Sequence, residues 1–470
     1  MQPQPEHSTP RQHAIVIGAS IGGLVAARAL ADHYHQVTVL ERDSFPAVGE
    51  HRKGVPQSRH AHALLPSGRE GLEALFPGLS QELVEQGAIL ADGIQHGVRF
   101  IGGSYHCRFP SGGQSLYVSR LRLEAQVRAR LLALPNVRMI ENCNVLGITA
   151  NDDQGRVTGV RFVRRDQSSA EKYAPADLIV DASGRGSHSM AWLAQMGYAK
   201  PVEEEVRVNI AYASRIYQRK PEQAQDAYTM LITPVPPNRR MGVMLAIEED
   251  RWHVTLVGYL GDEPPIDPEG FLAFAKTLPT LDIYEAIRQA EPVTDPVPAK
   301  YPASIRRYYE KLARFPAGYL VFGDAICGFN PTYGQGMTVA VLEAQLLQQC
   351  LAEGDEDLAH RFFAKTGQLV DIPWTIATGG DLRFPEVEGK RSAIKRLIDW
   401  YLSKLHRAAQ QDPKLVLAFG AVANLRLSPK SLLQPRVAWR VLLGNLPMRL
   451  PKRPAGSQQG LLFSHEPFLK

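Results

Sequence analysis

Gly18, Ser20 and Gly23 fill the three positions of a G-x-G-x-x-G turn in "HAIVIGASIGGLVAARALADHYHQVTVLERD", with Ile21 and Gly22 between them. Such a turn can seat a pyrophosphate. Amides at a helix N-terminus have no partner inside the helix, and the aligned peptide dipoles add partial positive charge there. Gly18 permits the tight turn and Gly23 lets helix and strand pack closely, while Ser20 is small enough for the backbone to be approached. Glu41, followed by Arg42, stands about twenty residues on, where its carboxylate can accept hydrogen bonds from a ribose diol and disfavour a 2′-phosphate. These residues point to a dinucleotide, and this segment alone leaves FAD and NAD both open.

A second corner decides between them. In "GDAICGFNPTYGQGMTVAVLEAQ", Gly323 and Asp324 end an apolar run, and an Asp there can hydrogen-bond a polyol. Pro331 forces the residue before it out of helical angles. Gly334-x-Gly336 then opens a helix through Met337. A helix start stripped of β-carbons can lie under a flat ring and stabilise negative charge on it. A dinucleotide whose two ends need two separate helix N-termini is FAD.

The elements that must place these residues can be read from the pattern around them. Residues 14–17, 36–40 and 319–322 are short apolar runs that suit buried parallel strands. The fold class expected is α/β: a Rossmann-like FAD-binding domain, a substrate domain built on an antiparallel β-sheet, and a C-terminal helical region. The boundaries are a disordered lead at 1–12, an FAD-binding domain in two parts at 13–200 and 311–350, the sheet domain at 201–310, and helices from 351 to 470. Within 202–309 the β-rich runs are separated by turn residues, and Met230, Met244, Trp252 and Tyr259 could line a cavity there or form ordinary sheet core. After Gly354 amphipathic helices carry basic residues among leucines, with "RLPKRP" near the end. Docking against the other domains is the leading reading of these helices, and contact with a membrane surface is the less favoured one.

Composition sets outer limits. The 470 residues are 44% hydrophobic and 21% charged, ordinary for a globular protein. Lys and Arg exceed Asp and Glu by 53 to 48, and no basic stripe interleaves with aromatics, so nucleic acid is not an expected partner. Four scattered cysteines without C-x-x-C give neither a disulfide framework nor a zinc site, and a cytoplasmic location with reduced thiols is expected. Cys327 reads as a small buried filler. No metal site is expected.

With both corners in view, the chain resembles the FAD-dependent monooxygenases of the aromatic-hydroxylase fold. It is most similar to the bacterial epoxidase and hydroxylase branch that includes polyether epoxidases and, more distantly, squalene epoxidase. The resemblance rests on "GASIGG…LERD", "RKGVPQSRHAHALL", "VSRLRLEAQVRARL", "ADLIVDASGRGS" and "GDAICGFNPTYGQGMTVA", spread over the first 345 residues or so. It implies that Asp324 holds the ribityl hydroxyls and that the backbone from Gly334 to Met337 holds the pyrimidine edge of the flavin. It further implies that Arg52 and Arg120 contact the cofactor and that Val145 offers backbone to the adenine. Gln57 and His62 are the candidate catalytic residues, with plain loop hydrogen bonding as the alternative.

Relatives carry Asp-Gly where this chain has Ser183-Gly184. The exchange either affects only the turn or places reduction by NADPH or NADH with a separate flavin reductase. The W-x-W-x-I-P stretch of flavin halogenases is missing. The activity implied is epoxidation or hydroxylation of a hydrophobic polyketide, terpenoid or aromatic molecule with O2, through a flavin C4a-hydroperoxide. A reductase or dehydrogenase without oxygen insertion, or a non-catalytic flavin-binding protein, is the alternative.

Overall fold

The computed structural model describes residues 11–45, 50–52, 54–167, 170–220, 224, 226–389 and 391–446. The lead at 1–10 and the "RLPKRP" stretch lie outside these. At the centre are five parallel strands in the order Tyr319–Val321, Leu178–Asp181, His13–Ile17, Gln36–Leu40, Val137–Ile140. The inner strands are mostly apolar and buried, as strands covered on both faces must be, while the edge strand Val137–Ile140 is partly exposed. The register pairs Ile17 with both Leu40 and Asp181, and Asp181 with Val321. The carboxyl ends of four strands are thus level, and Gly18, Glu41, Ala182 and Phe322 emerge side by side along one edge, with Gly323 next after Phe322. A ligand crevice in an open α/β sheet forms at such an edge.

Two helices start at that edge, Ile21–Ala31 and Gly336–Ala352, and they pack against each other. A Cβ on Gly22 would lie 3.9 Å from the Ala340 Cβ, an ordinary contact. Gly23 is different, because a Cβ there would fall 1.9 Å from the carbonyl oxygen of Gly18. Gly18 itself sits at φ +98°, a region open to glycine and strained for other residues.

The second sheet is larger than its sequence run suggests. Eight strands lie in the order Cys327–Gly328, Val297–Arg307, Glu203–Gln218, Arg251–Gly258, Arg240–Ile247, Thr229–Ile232, Gly97–Ile101, Ser104–Tyr105. Residues 97–105, from inside the stretch expected to belong to the FAD domain, complete one end of it. The pairing of Thr229–Ile232 with Gly97–Ile101 is parallel, whereas the other pairings in this sheet are antiparallel. Periodicity reports that a run is extended but not which sheet it joins, so this non-local membership left no mark in the local pattern.

One face of the sheet packs on helices Pro268–Ala275 and Asp282–Ile287 through Met230, Met244 and Trp252. These three are core. The other face looks toward the C-terminal helices Leu358–Asp381, Ala393–Ala408, Pro413–Ala423 and Pro435–Gly444. The last three share a small core of their own around Leu405, Leu415 and Val441.

The glycine geometry gives a paired test. Gly23→Ala should cost about 3 kcal/mol or more and abolish flavin retention, whereas Gly22→Ala should fold normally. Thermal unfolding and the ratio of flavin to protein absorbance would check both.

Candidate functional site

The first corner is organised by buried charge. Glu41 accepts from the Ala19 amide at 2.8 Å and the Asp43 amide at 2.9 Å, and it pairs with Arg52 at 2.8 Å. Arg52 also binds Glu124 and the Ala19 carbonyl, each at 2.8 Å. Glu124 in turn pairs with Arg120 at 3.2 Å, and the Arg120 guanidinium donates to Ser20 Oγ at 2.9 Å. All four charged residues are buried. Burial opposes the Arg52 charge, but Glu124 and Glu41 more than offset it and raise its pKa. Glu41, the expected ribose acceptor, thus accepts from its own chain through both oxygens. Arg42, by contrast, is exposed beside Asp43.

Ser20 precedes the first helix, but its side chain makes no capping bond and no acid occupies the first turn. The second helix repeats this. Gln335 precedes Gly336 without capping it, no acid occupies its first turn, and the Gln335 Oε1 is buried without a protein partner. Two helix starts therefore offer open amides along one edge of the sheet.

Between them lies Asp324. Its side chain is accessible by area yet crowded by protein, so desolvation raises its carboxyl pKa while Arg120 and Arg185 oppose the shift. Cβ atoms placed on Gly184 and Gly336 would each come no closer than 3.9 Å to Asp324, and one on Gly323 would meet nothing within 4 Å. The backbone is cleared around a reachable carboxylate, and these residues fit a dinucleotide with a polyol link and a flat ring. Pro331 forms a 3-10 turn with Thr332 and Tyr333, Gly334 follows at φ +65°, and Met337 is buried in the helix. Val145 is half-buried beside a break in the ladder between Val145 and Gly147.

Sequence reasoning missed three residues. Glu124 is an i,i+4 partner of Arg120, a spacing visible in "RLRLE". Arg185 stacks over Tyr301 at 4.4 Å and faces Asp324. Glu343 is fully buried and accepts from the Gly323 amide at 2.7 Å, while its Oε1 has no partner. Burial first, then the charge of Asp324, pushes the Glu343 carboxyl up to about 8.

Ser183 donates to Asp181 at 2.5 Å and shares that buried carboxylate with Ser187 at 2.6 Å and with Ser189. The Ser at this turn therefore has a structural partner.

A cavity of about 1390 Å³ adjoins the second corner. Thr332, Tyr333 and Gln335 line one end of it, and Leu231, Met241, Leu245, Ile376 and Phe384 line its apolar walls. Tyr259 lines it too, alone among the four residues named above, because Met230 and Met244 point to the opposite face of the sheet. The far part is polar. His106 and His406 are 3.0 Å apart, and Arg99, which bonds the Gly93 carbonyl, stands beside them. Burial lowers the two histidines to about 4 and about 3, so both are neutral near pH 7.

His62 lines the cavity. Its Nδ1 lies 2.8 Å from the His60 carbonyl, a bond that requires the proton on Nδ1 and leaves Nε2 as an acceptor. Burial, and next the Arg120 charge, lower its pKa to about 3, which suits hydrogen bonding better than proton uptake. Gln57 lies on the 3-10 turn Pro56–Arg59 and does not line the cavity. Of the two candidate catalytic residues, His62 thus lines the cavity and Gln57 does not.

Replacing Arg52 by Met should destabilise the protein by about 3–5 kcal/mol, because Glu41 and Glu124 would be left buried without their shared cation; urea unfolding measures this. Glu343 gives a pH test. Its proton is held to about 8 when folded, against an ordinary value of 4.5, so stability should decline as pH rises between these values and level off above. Glu343→Gln keeps an acceptor for Gly323 and should flatten that decline, as read from melting temperatures at about pH 5 and about pH 8.

Residues 16–76 match the NAD(P)-binding Rossmann-like domain family. Protein Rv3254 of Mycobacterium tuberculosis is 36% identical over 390 residues, covering 80% of this chain and 81% of that protein. Chloroplastic zeaxanthin epoxidase of Oryza sativa subsp. japonica is 29% identical over 184 residues, covering 37% of this chain and 25% of that protein. Among solved structures, a flavoprotein/dehydrogenase from Cytophaga hutchinsonii superposes with a TM-score of 0.64 at 18% identity, over 92% of this chain and 99% of that one. A flavin-dependent brominase gives 0.63 at 14% identity, over 88% and 94%. Likeness at such identities speaks for the fold, and the relative from Mycobacterium tuberculosis speaks for the family. The chain belongs with Protein Rv3254 in one family, and its fold is that of the flavin-dependent monooxygenases and halogenases.

Proposed function

We propose that this chain is an FAD-dependent monooxygenase that epoxidises or hydroxylates a hydrophobic polyketide, terpenoid or aromatic molecule. The observation that supports this most is the continuity of the apolar cavity with the corner at Thr332, Tyr333 and Gln335. A molecule held among Leu231, Met241 and Phe384 meets the loop that would carry the flavin ring.

FAD, once bound and reduced by NADPH or NADH directly or through a separate flavin reductase, supplies the redox chemistry with O2. The chain does the positioning. The amides after Ser20 and the Arg120 guanidinium would take the pyrophosphate, Asp324 the ribityl hydroxyls, and the backbone from Gly334 to Met337 the ring edge. The cavity walls keep water from the reacting centre. His62 accepts a hydrogen bond from a substrate hydroxyl, and Arg99 with the neutral His106 and His406 suits an oxygen-bearing end of the substrate. Alkene epoxidation needs no protein base, which accords with a cavity whose histidines are poor bases. The missing W-x-W-x-I-P stretch favours oxygen insertion over halogenation, although halogenases share the fold.

The test is turnover under isotopically labelled oxygen gas with NADPH, with and without an added flavin reductase. One labelled atom in the product is the expected result. Unlabelled product formed equally well under nitrogen would make the protein a dehydrogenase or reductase. Bound flavin without turnover of any donor or substrate would make it a carrier.

A further inference from the structure

Of the large apolar side chains left in solvent, more than half belong to residues 393–446, and the others, Val202 and Ile266 among them, are scattered along the rest of the chain. Ile394, Leu397, Trp400, Trp439, Leu442 and Leu446 are 55–70% exposed, on or just after the helices Ala393–Ala408 and Pro435–Gly444. In the first of these helices Ile394, Leu397, Ile398 and Tyr401 follow an i, i+3, i+4, i+7 spacing, so they form a stripe rather than scattered exceptions. Tyr401 turns toward the core of this region, which contains Leu405 and Ala408, whereas Ile394, Leu397 and Ile398 are exposed. An exposed apolar patch of this kind marks a surface that something covers.

Charge says what covers it. Residues 393–446 contain nine Lys and Arg against two acids, Asp399 and Asp412. Both acids are already paired, with Lys395 at 2.8 Å and Arg440 at 2.7 Å. The whole chain carries only +5, so the remainder is net acidic and this segment holds the positive charge. Arg396, Arg407, Lys414, Lys430 and Arg436 are exposed around the apolar side chains. A second copy of the chain would set this basic face against itself in an isologous contact, which charge opposes. An anionic lipid surface satisfies both features at once, since apolar side chains enter the acyl boundary while Lys and Arg meet headgroups. No described helix is long and apolar enough to cross a bilayer, and docking requires none.

The cavity opens through the same face. Ile398, Leu417 and Leu433 are exposed and also line the 1390 Å³ cavity. We propose that the face formed by residues 393–446 docks on an anionic membrane surface and that the cavity takes its lipophilic substrate from the lipid. The docking stands independently of the chemistry, while the delivery rests on the monooxygenase reading.

The chain has five tryptophans. Trp192, Trp252 and Trp374 are buried, so emission changes from the exposed Trp400 and Trp439 report on this face directly. Full-length protein is mixed with vesicles of phosphatidylcholine alone and with vesicles of phosphatidylcholine and phosphatidylglycerol in equal parts. Co-sedimentation and a blue-shifted emission are expected only with the second, weakening as salt is raised. The Trp400→Ser/Trp439→Ser and Arg396→Glu/Arg436→Glu variants should each lose roughly tenfold or more in vesicle affinity. Melting temperature and flavin content should stay unchanged, because these side chains are exposed and lie outside the cavity.

Absence of binding to either vesicle would overturn the proposal. Binding that ignores lipid charge, or a stable dimer abolished by Trp439→Ser with no vesicle binding, would overturn it equally. Vesicle binding by a protein that proves inactive with oxygen would uphold docking and remove only the delivery.

Discussion

The molecule is organised around two helix starts whose amides are left open. Four of the described helices are capped by the residue that precedes them, Ser119, Asp267, Ser392 or Asp412. Eight are not, and what sets the starts after Ser20 and Gln335 apart is their place at one edge of the sheet. Unsatisfied amides are tolerable at a helix end only when water or a ligand reaches them, and here two such ends are brought together by strand register. Because Ile17, Asp181 and Val321 are level, both helices must begin at the same edge. The site is in this sense a consequence of the sheet.

Holding the first of these corners open needs support that does not itself occupy it. The buried chain from Glu41 through Arg52 and Glu124 to Arg120 provides that support, with Ser20 at its end. A buried ion network is weak evidence for net stability, since desolvation opposes the Coulomb gain. Its effect here is to fix geometry. It joins the first turn, the end of the second strand, the loop at Arg52 and, from much further along the chain, the helix Arg120–Leu132. Glu343 does comparable work at the second corner by taking the Gly323 amide, so the turn that presents Asp324 is held from beneath.

What could be read from the sequence follows this division. The strands, both helix starts and the glycines announce themselves because local sterics and periodicity specify them. Arg52 and Arg120, expected from the resemblance, lie in one network with Glu41. A carboxylate at a strand end looks the same in sequence whether it faces a ribose or its own chain. Glu343 was hidden because a Glu in a helix normally reads as solvated, and only the packing of two helices buries it. In the strand Thr229–Ile232 the sequence left open whether Met230 lines the cavity or the core, and it is core while Leu231 lines the cavity. Side chains alternate across a strand, so choosing between Met230 and Leu231 requires knowing which face the C-terminal helices cover.

Those helices also support the second corner. Asp381, at the end of Leu358–Asp381, is buried and accepts from Asn330 Nδ2 at 2.7 Å and from Tyr333. Burial pushes its carboxyl up to about 7. Gly380 leaves room for the Tyr333 ring, since a Cβ there would fall 1.9 Å from its hydroxyl oxygen. The loop that would carry the flavin ring is therefore gripped by the C-terminal region as well as by the sheet. Helices further along that region wall the cavity and carry the exposed apolar stripe. One segment thus faces two opposed demands, sealing the reacting centre from water and admitting a lipophilic molecule. A mouth applied to a lipid surface meets both, because what enters through it is then acyl phase rather than solvent.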